Sequence, residues 1–372
     1  MGCLFHKGRQ NASVTGKEDA KLKEYSWDKR NAVNLKDYTV ENTEDGEVLK
    51  MPGSVNGQQF VIQNCKNTCI YIFDHANTVT VDDCINCKII LAAVKGSVFL
   101  RDCKECVCVI ACGQFRTRDC RKMDIFLCCA TQPIIEASSS IHFGCYQLFY
   151  TDLEEHFQQA GLSVFNNNWS SIHDFTPIEG ENNWCLFPDT IRIQDYISLP
   201  ASEELQRMNT SLLEEKSVVP HTWGPHKTPT GESCLVAFFS DGQQVQRAKA
   251  FINSLKIENP DCLLLMSKEI QMQQAGAEHV FKTNSYNSVV QRGLVVGLQC
   301  SGPNCIQSCQ KVAVRIATGM GSTGLVYEAG NAVCTGLEVT TPVPIKYRRA
   351  SENGYIRCNT LEYVYDLKNS AL

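Results

Sequence analysis

Two arginines in a short strand-like segment are the residues of this sequence best suited to chemistry on an anion. In Gln114-Phe115-Arg116-Thr117-Arg118, strand alternation sends Phe115 and Thr117 to one face and the other three side chains to the opposite face. We expect the face with Phe115 to be buried, so both arginines should project outward. A guanidinium stays charged and offers planar, forked donors, which suits phosphate oxygens. From the pattern alone, however, two arginines on a solvated strand face need no function.

Paired cysteines are the second candidate for chemistry, because their spacing matches that of a zinc ribbon. Fifteen residues separate Cys84-x-x-Cys87 from Cys103-x-x-Cys106. The same cysteines recur in one regular series with Cys65, Cys69 and Cys120. Such repetition predicts stacks of small, apolar side chains inside a repeating structure rather than metal ligands. We therefore expect no metal site, with zinc binding and redox chemistry as the alternatives.

A glycine-rich segment late in the sequence has the spacing of a dinucleotide-binding fingerprint. The motif Gly319-x-Gly321-x-x-Gly324 needs a strand before it and a helix after it, so that phosphates meet a helix N-terminus. Here a helical pattern at 305–318 precedes the glycines, which predicts the C-terminal turn of a helix instead. The sequence contains no Gly-x-x-x-x-Gly-Lys-Ser/Thr run, so we do not expect the chain to be a P-loop GTPase.

The arginines and the paired cysteines lie in an internal repeat of short strands and polar corners. Four strand-like runs each end in a polar residue and a cysteine: Phe60–Cys65, Val79–Cys84, Val98–Cys103 and Phe115–Cys120. The intervals between successive cysteines along the chain are 19, 19 and 17. A unit of this length cannot bury its own apolar face, and stacking the units solves that problem. The repeat therefore predicts a parallel β-helix with rungs about 4.8 Å apart.

Stacking the rungs brings particular residues near Arg116. One rung earlier, Gly96-Ser97 is equivalent to Gly113-Gln114, which predicts a small, open corner near the arginine. One rung later comes Glu136, whose partner depends on the length of the rung. A rung of 20 residues places Glu136 beside Arg116, where its carboxylate could hold the guanidinium, and a rung of 19 residues pairs it with Thr117. The sequence leaves both pairings open.

The charge balance argues against a nucleic-acid partner. The chain of 372 residues carries 35 basic and 40 acidic side chains, a net charge of −5. Proteins that bind nucleic acids usually have a basic excess, so we expect no such partner. The length suits two domains with a tail or linker. Hydrophobic residues, at 43% of the chain, are ample for packed cores.

The count of 21 cysteines raises the question of the redox compartment. The start of the chain has no apolar stretch of signal-peptide length, because His6, Lys7 and Arg9 follow at once. Nor does the sequence contain a run of about 18 apolar residues that could span a membrane. We therefore expect free, buried thiols in a reducing cytosol.

The first residues have the pattern of a double lipid anchor. Gly2 is the residue that N-myristoylation uses after removal of Met1, and Cys3 beside it is a typical palmitoyl acceptor. One acyl chain binds a bilayer reversibly, whereas two anchor a protein stably. Position six is His6 where Ser or Thr is usual, and an unmodified terminus is the alternative. We expect binding to a membrane surface through both acyl chains.

Composition divides the chain into successive segments. The predicted segments are, in order, a flexible lipid-anchored tail, the repeat domain, a helix and linker, an α/β domain and a tail of unknown role: 1–33, 34–200, 201–232, 233–346 and 347–372. We expect the helix at about 201–216, before a stretch rich in Pro and Gly. Alternating strand and helix patterns after that stretch indicate the α/β domain.

Several long strings in the sequence resemble the X-linked retinitis pigmentosa two family. They are Met1–Cys3, Tyr25–Asp28, Phe115–Lys122, Cys128–Glu136 and Phe165–Pro177. The resemblance extends from the first residue to about residue 325. It implies a multidomain protein with an N-terminal right-handed parallel β-helix of the tubulin-folding cofactor C type. It also implies that the α/β domain is nucleoside-diphosphate-kinase-like, with ferredoxin-like topology.

The resemblance further implies a function in membrane and ciliary protein trafficking. Members of the family act as GTPase-activating proteins on an ADP-ribosylation-factor-like small GTPase in its GTP state. The partner would carry GTP and Mg²⁺, so the chain would need no cofactor of its own. In the family an arginine enters the partner's active site, and Arg116 is the matching residue here. Glu136 would position Arg116, and the two form the expected catalytic pair.

The remaining site residues follow from the same resemblance. Those expected to face GTP around Arg116 are Gly96, Ser97, Gly113, Gln114 and Phe115. Arg118 and Phe175 would contact the surface of the GTPase. Family members carry Gln at the position of Gly113, so any side-chain contact from that position is lost here. The sequence beyond about Tyr327 does not match the family.

Other functions stand as alternatives. A non-catalytic effector or a tubulin-cofactor-like protein would bind its partner without stimulating hydrolysis. A nucleoside diphosphate kinase needs a histidine in an Asn-x-x-His-Gly-Ser-Asp context, and the last histidine here, His279, lies in Glu278-His279-Val280-Phe281. We therefore do not expect kinase activity. The resemblance predicts a location at the cytoplasmic face of the plasma membrane, with the cilium and basal body as further expected sites.

Overall fold

The computed structural model describes residues 35–224, 232–320 and 326–328. After a short 3-10 helix at Leu35–Tyr38, the N-terminal part is a stack of parallel strands. Its first ten strands are β1 Thr39–Glu41, β2 Glu47–Lys50, β3 Phe60–Gln63, β4 Cys69–Ala76, β5 Val79–Asp82, β6 Lys88–Arg101, β7 Val107–Arg118, β8 Arg121–Cys129, β9 Ile134–Glu136 and β10 Ser139–Cys145.

The chain after β10 returns over the stack and adds to it. Helix α1 is Leu153–Gln159, and two short strands join the same sheet, β11 at His173–Asp174 and β12 at Trp184–Leu186. Helix α2 is Glu203–Arg207. Short 3-10 helices precede and follow α2.

The strand pairs in this stack are parallel, and their registers reproduce the sequence repeat. Phe60 pairs with Val79, Val79 with Val98 and Val98 with Phe115. These partners are separated along the chain by the same intervals as the repeated cysteines. Each rung therefore lies beside the rung that follows it in sequence. The predicted parallel β-helix is confirmed for the N-terminal part of the chain, which we call the solenoid.

Polar residues in the left-handed conformation form the corners of the rungs. Four of them have φ between +49° and +55°: Asn64, Asp83, Asp102 and Asp119. Asn and Asp tolerate this conformation better than other residues with side chains, because their short polar groups bond locally. The residue after each of them is a buried cysteine: Cys65, Cys84, Cys103 and Cys120. The polar corner and the small inward thiol together explain the repeat.

Apolar side chains fill two cores, one inside the solenoid and one on an outer face. Side chains from successive rungs, for example Val98, stack in the inner core. On the outer face, Tyr71 and Val109 pack beneath residues from 146–219. Tyr71 Oη donates a hydrogen bond to Ser198 O at 2.9 Å. The central strands are therefore buried on both faces, which explains their nearly continuous hydrophobic runs.

The C-terminal part is a four-stranded antiparallel sheet with helices packed on it. Its elements are β13 Glu232–Phe238, α3 Gln244–Glu258, β14 Leu263–Ile270, α4 Gln274–Phe281, α5 Asn287–Val290, β15 Val295–Gly302, α6 Cys305–Gly319 and β16 Val326–Glu328. The strand order is β14-β15-β13-β16. Helices α3 and α6 share one core with the sheet, and α4 and α5 share another. Helix α6 ends at Gly319, which confirms the helix predicted before the glycine motif.

Residues between α1 and β11 connect the solenoid to this sheet. The Phe165 side chain is fully buried in the core of α3 and α6. Its backbone oxygen accepts a hydrogen bond from Ser267 Oγ at 2.8 Å. Ser163 Oγ donates to Glu269 Oε2 at 2.5 Å. The described residues from Tyr38 onward accordingly form one compact unit.

The prediction of one helix at about 201–216 is wrong beyond Arg207. Helix α2 covers only Glu203–Arg207. Asn209 then takes a left-handed conformation, and Ser211 pairs with Phe149 in an isolated bridge. Pairing with the solenoid thus replaces the later helical turns. Within the described residues, no helix is both long enough and apolar enough to cross a membrane.

Candidate functional site

The outward face of β7 carries the predicted arginines. Phe115 and Thr117 are buried inside the solenoid. Gln114 and Arg116 are exposed, and Arg118 is half-buried. The alternation predicted along this strand is therefore confirmed. Because the Phe115 ring lies in the inner core, this residue presents its backbone to the outer face.

The corner beside Gln114 is formed by residues that have small side chains or none. Ser97 pairs with Gln114 across adjacent rungs, as the repeat predicts, and Ser97 Oγ donates to Gln114 Oε1 at 3.1 Å. A Cβ at Gly113 would lie 2.5 Å from Lys95 O. A Cβ at Gly96 would lie 3.0 Å from a backbone oxygen of the preceding rung. With this backbone, a side chain at either position would press against the preceding rung.

The rung that ends in Glu136 is shorter than either predicted length. Strand β9 pairs Arg116 with Ile134 and Arg118 with Glu136. Both predicted lengths, which would place Glu136 opposite Arg116 or Thr117, are therefore wrong. The corner before β9 still has the register of β8, because Thr131 N donates to Gly113 O at 3.1 Å in the same way that Asp124 N donates to Cys106 O. Cys112 pairs with Cys129 and Arg116 with Ile134, so one extra residue lies between β8 and β9 relative to β7.

Arg116 and Glu136 nevertheless contact each other, along a diagonal between neighbouring strands. Arg116 Nη2 donates to Glu136 Oε2, and the two side chains form an ion pair. Residues offset by two across adjacent strands lie within reach of long side chains. Arg116 and Glu136 are therefore neighbours, as a 20-residue rung would predict, although the observed rung is shorter.

Phe99 is the residue of this face that the sequence analysis missed. It lies on β6, pairs with Arg116 and is half-buried. The guanidinium carbons of Arg101, Arg116 and Arg118 lie 5.4, 5.5 and 6.0 Å from its ring centroid. These distances are within the range of cation–π attraction. Counting back one rung from Arg116, by the interval between the repeated cysteines, would have identified it.

Acidic side chains partner the other two arginines. Arg101 Nε donates to Asp82 Oδ1 at 2.6 Å, and this hydrogen bond raises the pKa of Arg101. Arg118 Nε lies 3.4 Å from Asp119 Oδ2. Among the three arginines, Arg116 has the most exposed side chain, at 49%. Arg116 is therefore the guanidinium best placed to meet a partner.

Phe175 lies on the rung after Glu136. Strand β11 pairs with β9, and Phe175 N donates to Ile135 O at 2.9 Å. The Phe175 ring packs edge-on against His173 at 4.5 Å and is 58% exposed. Ile178, which the sequence analysis did not single out, is likewise exposed. Large exposed apolar side chains in one segment are typical of protein-binding surfaces.

We call this surface the arginine face. It comprises the outward side chains of β6, β7 and β9 with Phe99 beneath them: Ser97, Gln114, Arg116, Arg118 and Glu136. The glycine corner, which is formed by Gly96 and Gly113, lies beside it, and Phe175 lies on the next rung. An exposed guanidinium that is held by a carboxylate can bind an oxyanion brought by another molecule. The roles of these residues stay predictions.

The paired cysteines lie inside the solenoid. Cys84, Cys87, Cys103 and Cys106 are all buried. Burial raises the pKa of Cys108 in the same core, so its side chain is a thiol at neutral pH. All but two of the described cysteines are buried, and none of the described cysteines forms a disulfide. Small apolar packing accounts for these positions, and the expectation that they bind no metal stays a prediction.

Several predicted features lie outside the described residues. They are the lipid acceptors Gly2 and Cys3, the tails 1–33 and 347–372, and Gly321 and Gly324 of the glycine motif. The predictions for them are therefore unchanged.

Known proteins resemble this chain over most of its length. Residues 57–175 match the family model described as Tubulin binding cofactor C. The chain is 48% identical over 319 residues to Protein XRP2 of Xenopus laevis, which covers 84% of this chain and 90% of that protein. It is 45% identical over 323 residues to Protein XRP2 of Homo sapiens, with 86% and 92% covered.

A solved structure also shows a partial likeness. Tubulin Binding Cofactor C from Leishmania major is 20% identical and covers 41% of this chain and 89% of that chain, with a TM-score of 0.30. At that score the likeness does not establish a shared fold. The solenoid is assigned from its own strand pairings and from the family match.

Proposed function

Because this chain belongs to the XRP2 family, we propose that it stimulates GTP hydrolysis by an ADP-ribosylation-factor-like small GTPase, with Arg116 as an arginine finger. The observation that carries the proposal is the ion pair between Arg116 and Glu136 on the exposed arginine face. The pair holds a guanidinium outward on a rigid sheet, where the active site of a partner can receive it.

A guanidinium supplied by a second protein would act on the charge that develops during phosphoryl transfer. Hydrolysis spreads negative charge over the γ-phosphoryl oxygens, and a slow small GTPase lacks a cation there. An arginine supplied in trans raises the rate by roughly 10³–10⁵, or about 4–7 kcal/mol of barrier. GTP and Mg²⁺ would come with the partner, so the chain would need no cofactor of its own.

Two contacts would restrict Arg116 before the partner binds. Glu136 accepts from Nη2, and the Phe99 ring lies 5.5 Å from the guanidinium carbon. A side chain that is already oriented loses less conformational entropy when the reactive complex forms. The other N–H groups of the guanidinium lie in the same plane and are geometrically suited to forked contacts with phosphate oxygens.

We assign the residues around Arg116 to two parts of the partner. Those facing GTP would be Gly96, Ser97, Gly113, Gln114 and the backbone of Phe115. Arg118 and Phe175 would contact the protein surface of the GTPase. The exposure of the Phe175 ring, 58%, supports this assignment, because an exposed aromatic side chain gains most from burial at an interface.

Single-turnover GTP hydrolysis by a candidate partner, with and without this chain, tests the proposal. Arg116→Ala should abolish stimulation while leaving the GTP-state complex largely formed. Arg116→Lys should also fail, because one ammonium cannot reproduce the planar fork. Arg121→Ala, which removes an exposed arginine at the start of β8, is the matched control and should stimulate like the wild type. Full stimulation by the Arg116→Ala protein would contradict the proposal.

A second candidate function is binding without catalysis, as an effector or a tubulin-cofactor-like protein. The description of the matching family model, which names tubulin, favours this alternative. Under it, the wild-type chain would bind a GTPase or tubulin without accelerating hydrolysis, and Arg116→Ala would weaken binding alone. Measuring complex formation and hydrolysis on the same samples separates the two functions.

We also propose that the protein acts at a membrane surface. Gly2 and Cys3 would carry myristoyl and palmitoyl chains, which together suffice for stable anchoring. The expected location is the cytoplasmic face of the plasma membrane, with the cilium and basal body as further sites, and the expected process is membrane and ciliary protein trafficking. The net charge of −5 argues against a nucleic-acid partner.

For the C-terminal part, we propose a nucleoside-diphosphate-kinase-like fold without kinase activity. The order β13, α3, β14, β15, α6, β16 and the sheet order β14-β15-β13-β16 support ferredoxin-like topology. Helices α4 and α5 are insertions between the second and third strands. His279 lies on α4, outside the Asn-x-x-His-Gly-Ser-Asp context that the kinase reaction needs. Assay of phosphate transfer between nucleotides should therefore detect none.

A further inference from the structure

Two histidines and an aspartate meet where helix α1 contacts the end of β4, away from the residues of the arginine face. Asp74 and His75 come from β4, and His156 comes from α1. The Asp74 and His156 side chains are buried, while the His75 side chain is 15% exposed. In the described part of the chain, this is the group of three potential ligands whose ligand atoms all lie within 4.8 Å of one another.

The distances in this cluster fit a shared cation better than direct hydrogen bonds. Asp74 Oδ1 lies 3.3 Å from His75 Nδ1 and 3.5 Å from His156 Nε2. A good N–H···O hydrogen bond spans about 2.7–3.2 Å, so both contacts are long. Ligands of tetrahedral zinc, at about 2.0–2.1 Å from the metal, lie about 3.3 Å apart. The two distances from Asp74 Oδ1 therefore match the spacing of ligands around one small cation, and the two imidazole ligand atoms lie within 4.8 Å of each other.

Contacts behind the cluster orient the carboxylate. Asp74 Oδ2 accepts hydrogen bonds from Val55 N at 2.7 Å and Asn56 N at 2.8 Å. These bonds occupy Oδ2 and direct Oδ1 toward the two imidazoles, and Oδ1 also accepts a hydrogen bond from His75 N at 2.8 Å while keeping a second lone pair for a ligand. A carboxylate that ligates zinc through one oxygen while backbone amides hold the other is the usual arrangement of an outer coordination shell.

A second contact orients the buried histidine. His156 Nδ1 lies 2.6 Å from Tyr150 Oη. With the proton on Nδ1, the imidazole donates to this hydroxyl and turns the lone pair of Nε2 toward Asp74.

We propose that Asp74, His75 and His156 form a site for one divalent cation of the zinc class. The ligand atoms are Asp74 Oδ1, His75 Nδ1 and His156 Nε2, and solvent completes the coordination on the exposed side of His75. Two imidazoles and one carboxylate favour zinc and its transition-metal neighbours over Mg²⁺ and Ca²⁺, which prefer oxygen ligands. The cation fixes α1 against the end of β4.

Metal titration of the full chain after treatment with a chelator tests the site. Zn²⁺ should bind with a stoichiometry of one, measured by competition with a chromophoric chelator. At a free concentration of about a hundred times Kd, it should raise the melting temperature by roughly 5 °C. Co²⁺ bound there should give the weak visible bands of nitrogen and oxygen ligands, without the intense near-ultraviolet band of thiolates.

Substitutions locate the metal. His156→Gln and His75→Asn should each weaken zinc binding more than about a hundredfold, since loss of an outer-shell partner alone costs about ten- to a hundredfold. Tyr150→Phe keeps all three ligands and should cost about ten- to a hundredfold. His142→Gln is the matched control, because His142 pairs with a single carboxylate, Asp124, at 2.7 Å and is partly exposed. It should bind zinc like the wild type.

Three outcomes would overturn the proposal. In the first, the folded wild-type chain takes up no zinc at micromolar concentration. In the second, both histidine variants bind zinc with unchanged affinity while keeping the wild-type circular dichroism spectrum. In the third, a thiolate band with Co²⁺ assigns the metal to the buried cysteines instead. If Tyr150→Phe keeps its affinity for zinc while His156→Gln loses it, His156 is a ligand and the Tyr150 hydroxyl does not contribute to the site.

Discussion

Arg116 and Glu136 meet along a diagonal, and this makes their contact sensitive to side-chain length. Each side chain must reach toward the other, because the residue directly opposite Arg116 on β9 is Ile134. The ion pair is only partly buried, with Glu136 32% exposed. Exposed pairs of this kind contribute about 0–1 kcal/mol to the free energy of unfolding. The contact is therefore better suited to positioning than to stability.

Replacing Glu136 should harm the proposed activity more than the fold. We expect Glu136→Gln to lower stimulation of GTP hydrolysis by roughly ten- to a hundredfold, because a displaced guanidinium loses its geometry in the reactive complex. The melting temperature should stay close to that of the wild type. Single-turnover hydrolysis and calorimetry on the same preparation measure both effects. A variant that melts far below the wild type would make Glu136 a structural residue instead.

At the scale of the strand, the offset between rungs decides which side chains meet. The sequence predicts the registers from β3 to β7 correctly, because each of these rungs ends in an Asn or Asp followed by cysteine. The corner at 130–133, before β9, has no Asn or Asp followed by cysteine, and the predicted rung length there is wrong. The contacts of Phe99 with three arginines also escaped prediction, since a repeat gives backbone neighbours but not the directions of long side chains.

The predicted end of α2 was wrong for a different reason. Helical periodicity describes one face of a segment and does not include competing tertiary pairings. Ser211 pairs with Phe149, and this contact ends the helical pattern early.

The group of Asp74, His75 and His156 was not predicted from the sequence either, because Asp74 and His156 are far apart in the sequence and meet only through the packing of α1.

The glycine corner gives a test at the level of the rung. Gly113→Ala should lower the free energy of unfolding by about 1–3 kcal/mol, because its Cβ would lie 2.5 Å from the backbone oxygen of Lys95. Gly276→Ala on α4 is the matched control, since a methyl group added there meets no described atom beyond its own helix within 4 Å. That change should be neutral or stabilise by up to about 1 kcal/mol. Urea denaturation measures both, and equal stability of the two variants would contradict the steric argument.

At the scale of the whole molecule, Phe165 joins two parts that the sequence predicts as separate domains. Its ring belongs to the core of α3 and α6, although the residue comes from the segment between α1 and β11. The segment also bonds to β14 through Ser163 and Asn166. A buried aromatic ring and several hydrogen bonds should couple the unfolding of the two parts.

Truncating that ring should uncouple them. We expect Phe165→Ala to destabilise the protein by about 3–5 kcal/mol and to split one calorimetric transition into two. Phe175→Ala, which truncates an exposed ring, is the control and should leave the transition unchanged. A single, unshifted transition in the Phe165→Ala protein would show that the two parts unfold together for another reason.

Membrane attachment should depend on the acyl chains more than on charge. We expect Gly2→Ala to release the protein into the soluble fraction and Cys3→Ser to weaken its membrane binding. Each buried CH₂ contributes about 0.8 kcal/mol, and one myristoyl chain binds reversibly. Lys7 and Arg9 add at most about 1 kcal/mol each against an anionic leaflet. Cell fractionation measures the release.

The intact mass of the N-terminal peptide from eukaryotic cells is the direct check on acylation. His6 replaces the usual Ser or Thr and should slow myristoyl transfer rather than prevent it. An unmodified Gly2 in a protein that still sediments with membranes would mean that another surface does the anchoring.

The hydrogen bond from Tyr71 to Ser198 has a consequence for how a ribosome delivers this chain. The two residues are 127 positions apart, so the rungs of the solenoid emerge long before the segment that covers their outer face. At about 5–20 residues per second, the delay is roughly 6–25 s. During it, Tyr71 and Val109 belong to an uncovered apolar sheet, the kind of surface that nascent-chain chaperones shield. The fold can therefore be completed only after the segment that contains Ser198 has been translated, even if the rungs have already stacked.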